Sequence, residues 1–524
     1  MPRLLTRFTS ILRDPRVREV VRWCLPALLV GLILRAALTA QLPYAFFHDD
    51  APDFLVTPDR LMNHGKFDLH SKKTFLVPIA FTVPFILHIP AMLAIPVSQH
   101  VLGLGSVLLV GLLCRLWFAR WKVFIIPLTL VAAVNPFLLW YEHALLAESL
   151  FVFCTLLVAA AGTLYARAQT LPRFVLLCIA LFLVAGARPE GKLLFGFGLL
   201  LLAWLHWGEW RAHRVRLAVF LALAVLTHFK TKTSQAGLLL YTSLARFTPS
   251  ELKCAPGFDP FIGTIRADLL ERWSEKPSFP KVRDRRAIAD AVARYLKERP
   301  EFAGSDSHSS VNSFCLKLAM ETLRRNFFAM PAHAFSKFRI VANESPSGRL
   351  DNDWLFEKQR EAYLGEMEDI SRLSVGLFGR KITTPAEMNA FLDTHYGEVR
   401  WFNALSDAWL RAVNAWRFPD AAFPDRDSPT VPFIYRGVPF YFLLGTLGLL
   451  AVMLRSGALR PFHIAWGLTL LAFFYTIMLT GNVRPRFRFV FEPFWFLYLA
   501  LLADSLWLGA TRALHPAGTA ELKR

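Results

Sequence analysis

Long apolar runs separated by short polar breaks fill the chain from residue 23 to residue 508, apart from one polar stretch at 230–430. An apolar run of ~20 residues is long enough for a helix to cross a bilayer's hydrocarbon core of ~30 Å. On that rule spans are predicted at 23–47, 91–116, 123–140, 143–165, 174–187, 193–207 and 217–229, then at 431–454, 462–479 and 489–508. The apolar region 75–118 would extend ~65 Å as one helix at ~1.5 Å per residue. Pro78, Pro84, Pro90 and Pro96 break its first half, so 75–90 is expected to be an interfacial or re-entrant helix. The fold class predicted is an all-α polytopic membrane bundle of roughly ten spans.

The polar insert carries helical spacing, with Ile288, Val292, Tyr295 and Leu296 on one face. Further helices are expected at 311–325 and around 401–416. Strand alternation is scarce, so the insert is expected to be mainly helical. The organisation that follows is an N-terminal bundle (1–229) with a polar first outer loop (48–74), an extracytoplasmic domain (230–430), C-terminal spans (431–510) and a cytoplasmic tail (511–524).

Composition supports this: 54% of the 524 residues are hydrophobic, which excludes a disordered chain. The net charge of +19 would suit nucleic acid, but its placement argues for topology. Arg3, Arg7, Arg13, Arg16, Arg18 and Arg22 precede the first run, and Arg115, Arg120, Lys122, Arg167, Arg173, Arg211, Arg214 and Arg216 lie between later runs. Lys and Arg enrichment marks the cytoplasmic side of a membrane protein, so no nucleic-acid partner is expected. The first run exceeds a signal peptide's apolar core of ~7–15 residues. It reads as an uncleaved anchor, with both termini cytoplasmic in the inner membrane if the host is bacterial. Cys254 and Cys315 fall in the polar domain, where a disulfide is open but not fixed by sequence. Asn343 opens a glycosylation sequon that matters only in a host with that machinery.

Four short segments fall on the outer side by this parity: the 48–74 loop, Tyr141-Glu142-His143, Arg188 to Lys192, and Asn482 to Arg488. Charge held at a membrane boundary is costly and therefore a functional candidate. Asp49 and Asp50 are candidate bases, against the alternative of solvated loop carboxylates; Asp53, beside Pro52, suits a turn or helix cap. Arg188, Lys192, Arg486 and Arg488 break the charge rule. They are either snorkelling side chains or a site for an anion, since guanidinium forks suit phosphate oxygens. Glu148 either orients an acceptor or a basic partner, or makes a structural hydrogen bond. Glu142 and His143 are candidates to bind or orient an acceptor, or to hold a divalent metal with Asp49, against a surface role. Arg35, alone in the first span, has no partner the sequence identifies.

From Asp50 the chain reads D-A-P-D-F-L-V-T-P-D-R-L-M-N-H-G-K-F. Asp50, Phe54, Leu61, Gly65 and Phe67, followed by Lys72, Lys73 and Pro78, resemble the first outer loop of GT-C glycosyltransferases of the protein O-mannosyltransferase and lipid A aminoarabinose transferase group. Asn135-Pro136 with Glu148-Ser149, Arg188-Pro189-Glu190-Gly191, and Arg486-Phe487-Arg488 with Glu492-Pro493 resemble later segments of that group in the same order. Two departures stand out: the second carboxylate is Asp49, before Asp50 rather than after it, and Phe487 replaces the usual Tyr. The resemblance implies transfer of a sugar from a polyprenyl-phosphate carrier to an acceptor hydroxyl on protein, lipid or glycan. It also implies Asp50 as base, with Lys72, Lys73, Arg188, Lys192, Arg486 and Arg488 at the carrier phosphate. The alternative of another class is a transporter or flippase of an anionic lipid-linked substrate, although no internal repeat is visible.

Overall fold

The computed structural model describes residues 15–47, 51–66, 74–228, 236–249, 251–255, 257–258, 282–299, 307–334, 352–414, 440–454, 457–480 and 491–514. Among them the regular structure is helical: α1 Pro15–Gln41, α2 Ala51–His64, α3 Leu76–Ile86, α4 Ala91–Trp117, α5 Trp121–Val134, α6 Pro136–His143, α7 Glu148–Arg167, α8 Leu171–Ala187, α9 Leu194–His206 and α10 Trp210–His228. Next come α11 Ala236–Leu244, α12 Val282–Lys297, α13 Ser307–Arg325, α14 Asn352–Gly365, α15 Met367–Phe378, α16 Pro385–His395, α17 Arg400–Asn414, α18 Phe440–Leu454, α19 Arg460–Thr480 and α20 Glu492–Leu514. The chain forms two compact units, one of Met1–Lys230, Ser345–Thr469 and Arg488–Arg524, the other of Thr231–Glu344 and Leu470–Phe487.

Among the described residues four helical stretches are long and apolar enough to cross a membrane: Val17–Gln41, Ala91–Trp117, Glu148–Arg167 and Pro189–Thr227. α5 and α6 add a fifth if their 45° break is one bent span. The chain is therefore an integral membrane protein; these helices do not establish a count of ten. Pro189–Thr227 is folded back on itself, since Phe195 packs on Phe220 and His206 on His213. α9 and α10 are thus an antiparallel hairpin.

Three predicted spans differ from the helices for local reasons. The first was expected to reach residue 47, but α1 stops at Gln41 and Leu42 leads into Pro43. A residue before proline avoids helical backbone. The third breaks at Asn135-Pro136, and the fourth starts at Glu148 rather than 143. The 75–90 segment does form a separate short helix, α3, whose length of ~16 Å cannot cross a bilayer. Ile79, Val83 and Ile86 are exposed along its outer face.

In the first unit the two ends of the helix bundle carry different chemistry. At one end Glu19 pairs with Arg115 and Lys122, and Asp504 with Arg120. Arg167 donates to the Leu116 carbonyl there. At the other end residues within 42–47, 51–55, 77–95 and 137–147 share a buried apolar core with residues between Tyr363 and Phe402. In the second unit α11, α12 and α13 pack around Tyr241, Val292, Tyr295, Phe314 and Leu318. Cys254 and Cys315 are both unbridged in it.

Candidate functional site

The segment that leads into Asp49 and Asp50 is fixed through its backbone. Ala45 N–H donates to Met92 O at 2.8 Å, Phe46 N–H to His143 O at 2.9 Å, and Leu145 N–H to Phe46 O at 2.9 Å. The Gln359 side chain then mimics a strand: its Oε1 accepts from Phe47 N–H at 2.6 Å and its Nε2 donates to Phe47 O at 2.7 Å. Tyr396 Oη donates to Ala45 O at 2.7 Å, with Tyr363 Oη 3.0 Å from Tyr396 Oη and also on Ala45 O. Every N–H and C=O from Ala45 to Phe47 is thereby engaged, as buried backbone must be. Helix α2 resumes at Ala51, and Phe54 packs edge-on against Phe81 of α3. Asp49 and Asp50 themselves lie outside the described residues.

Beside this root is a buried ionic group. Arg35 forks onto Glu142, Nε to Oε2 at 2.7 Å and Nη2 to Oε1 at 2.6 Å, with both side chains 3% exposed. Its Nη1 donates to the carbonyls of Gly31 and Ala133. His100 Nδ1 sits 2.9 Å from Glu142 Oε2, and His100 Nε2 is 3.2 Å from His143 Nδ1. The His143 ring packs 4.9 Å from that of Phe46. Arg35 therefore has the partner that sequence did not supply, and Glu142 has its carboxylate occupied by Arg35 and His100. Among the described residues no group of three or more His, Cys, Asp and Glu side chains is arranged for a metal ion; the proposed third ligand, Asp49, is not one of them.

Four residues along, Gln99 Nε2 donates to Leu146 O at 3.1 Å, and Ser149 Oγ lies 3.4 Å from Gln99 Oε1. Glu148, the first residue of α7, is paired with Arg188 at 2.6 Å, and Arg188 Nε reaches Glu190 Oε2 at 3.2 Å. A carrier phosphate at Arg188 would share that guanidinium with two carboxylates. Lys192 is half-buried in the next turn. Phe75, two residues after Lys73, packs at a tilt against Phe182 and covers Gly186, two residues before Arg188. Lys72 and Lys73 lie outside the described residues, as do Arg486 and Arg488. Downstream of the latter, Glu492 accepts from Tyr441 Oη at 2.6 Å and from Asn135 Nδ2 at 3.2 Å.

The short motifs noted in the sequence are helix starts, and each has a local cause. Asn135 caps α6, accepting from Phe137 N–H and Leu138 N–H, with Pro136 at the first helical position. Glu148 and Glu492 open α7 and α20, where a carboxylate is favoured by the helix dipole. Gly191 is needed because a Cβ there would collide with the Val184 carbonyl. Sequence reasoning did not find Gln359, Tyr363, Tyr396 or His100. Arg35 was left without a partner in the sequence, although a lone arginine in an apolar span is a signal that could have prompted a search for a buried carboxylate; nothing in the pattern pointed to Gln359.

The fold and the buried charges define a helical integral membrane protein with its polar machinery at one end of the bundle. No family model matches the chain, and no curated protein matches it. Among solved structures, the crystal structure of ArnT from Cupriavidus metallidurans bound to undecaprenyl phosphate is similar, at 12% identity over 88% of this chain and 77% of that one, with a TM-score of 0.32. A superposition at that score does not establish a common fold.

Proposed function

We propose that the chain is a membrane glycosyltransferase that moves a monosaccharide from a polyprenyl-phosphate carrier to an acceptor hydroxyl at the outer membrane face. What supports the reading is a convergence at one end of the bundle. The fully bonded root Ala45–Phe47, which precedes Asp49 and Asp50 in sequence, is linked through Leu145, Leu146, Gln99 and Ser149 to the start of the helix whose Glu148 pairs with Arg188. In this scheme Asp50 accepts the proton of the acceptor hydroxyl. The acceptor oxygen bonds to the anomeric carbon as the carbon–oxygen bond to phosphate breaks, and a single displacement inverts that centre. The departing lipid phosphate gains charge, which fixed cations must meet; Lys72, Lys73, Lys192, Arg486 and Arg488 are assigned that role. Arg188 serves both the phosphate and Glu148.

The test is release of lipid phosphate from radiolabelled polyprenyl-phosphate sugar by the purified full chain, with and without acceptor. Asp50→Asn should abolish acceptor-dependent release while Asp49→Asn retains it. Full turnover by Asp50→Asn would refute the assignment, and no release by the unaltered chain from any carrier would refute the function.

A further inference from the structure

At the other end of the bundle, the turn between α9 and α10 forms a cavity of about 520 Å³ that the proposed reaction does not use. That volume is in the range of small-molecule sites. Its walls are apolar, with Leu202, Ala203 and Leu217 among them. Trp207 and Trp210 stand at its rim, 82% and 58% exposed. Tryptophan at such exposure suits the membrane–water interface, where its ring is apolar and its N–H is wet.

One edge of the cavity is basic. Arg216 lines it, held by bonds from Nη1 to Gln169 O at 2.9 Å and to Tyr165 Oη at 3.4 Å. His206 and His213, also in the lining, lie against each other with ring centroids 3.8 Å apart and planes tilted by 34°. The contacts they make use one nitrogen of each ring: His206 Nε2 is 2.7 Å from Tyr165 Oη and His213 Nε2 is 3.8 Å from the exposed Glu209. Arg211 lies over the Trp210 ring, and Arg214 is exposed on the same helix. Glu209 is the one carboxylate among these named groups, so positive charge predominates.

We infer that this cavity binds one diacyl phospholipid with an anionic headgroup, its phosphate at Arg216 and the histidine pair and an acyl chain along the leucine walls. Charge complementarity selects the occupant, because an apolar slot closed by basic groups beside interfacial tryptophans fits an anionic lipid better than a zwitterionic one. The polyprenyl phosphate of the proposed reaction is not the occupant. Tyr165 lies 17 residues along α7 from Glu148, about 25 Å at ~1.5 Å per residue, nearly the depth of a bilayer core.

The inference is tested on the full chain by native mass spectrometry, titrating phosphatidylglycerol, phosphatidylcholine and undecaprenyl phosphate separately. The first phosphatidylglycerol should bind about tenfold more tightly than phosphatidylcholine, the gain expected from one or two basic groups at a lipid phosphate. Arg216→Gln should remove that preference, and so should Ala203→Phe, which fills the slot and leaves Arg216 in place. Arg216 also ties α10 to Gln169, so if Arg216→Gln fails to fold, Ala203→Phe decides. Equal binding of both phospholipids would overturn the inference, as would a preference unchanged in Ala203→Phe or displacement of phosphatidylglycerol by equimolar undecaprenyl phosphate. Loss of transferase activity in Asp50→Asn has no bearing on this result.

Discussion

Gly103 of α4 faces the Glu142 carboxylate so closely that a Cβ there would lie 2.6 Å from Oε2 and closer still to Cδ and Oε1. Glu142 cannot give way cheaply, because Arg35 grips both its oxygens and His100 holds Oε2. Gly103→Ala should therefore displace the carboxylate and leave the Arg35 charge buried without its fork. Breaking a buried ion pair by one partner costs about 3–5 kcal/mol. The alanine returns up to about 1 kcal/mol of helix propensity, so the expected net loss is about 2–4 kcal/mol. Gly196 of α9 is the control, since a Cβ there meets nothing within 4 Å; Gly196→Ala should be neutral or stabilising by up to about 1 kcal/mol. The measurement is reversible unfolding in mixed micelles of rising denaturing-detergent fraction, run as a double-mutant cycle with Glu142→Ala. On the Glu142→Ala background the clash is gone, and Gly103→Ala should cost nothing. If Gly103→Ala costs as much with Glu142 removed as with it present, the carboxylate is not what the glycine accommodates and the reasoning fails.

Two further outcomes are expected. Gln359→Ala removes both bonds to Phe47 and leaves two buried backbone groups unmet, so it should destabilise by about 2–6 kcal/mol, at ~1–3 per orphaned group; on the proposed function it should also lower turnover more than carrier affinity, and steady-state kinetics would show the reverse if Gln359 served binding alone. In the second unit, burial pushes the Glu321 carboxyl up. The Cys254 thiol, the Lys253 and Cys254 amides and Arg325 outweigh that and hold it below the ordinary carboxylate range. A depressed carboxylate contributes stability above its unfolded pKa and loses it as pH falls through the folded one. Protection factors of the 251–255 amides, corrected for the intrinsic exchange rate at each pH, should therefore fall on acidification below the ordinary carboxylate range, and Glu321→Gln should flatten that dependence.

The sequence disclosed the membrane class and several helices because those depend on local periodicity. Ile288 to Leu296 lies in α12, the 311–325 helix is α13, and the third, near 401–416, is α17. The charge rule also grouped Arg115, Arg120 and Lys122, which the structure pairs with Glu19 and Asp504 at one end. Boundaries were misread where a proline or a cap overrode hydrophobicity, at Leu42-Pro43 and at Asn135-Pro136. The buried polar groups were the least legible part. Arg35 and Glu142 are separated by 107 positions, and no spacing rule relates residues on different helices. The clamp on Phe47 was hidden for the same reason, since glutamine and tyrosine in a polar stretch look like solvated surface.

That clamp sets an order of events during synthesis. Phe47 waits for a partner 312 residues downstream and Ala45 for one 351 residues downstream. At about 5–20 residues per second, roughly fifteen seconds to a minute passes before Gln359 is made. Through that interval Ala45 N–H and both Phe46 backbone groups can already bond to Met92, His143 and Leu145, while the Ala45 carbonyl and both Phe47 groups lack their final partners. A ribosome stalled before residue 359 would present the root of the acidic segment held at only three of its six backbone groups, and so Phe47, though made early, is among the last residues to be fixed.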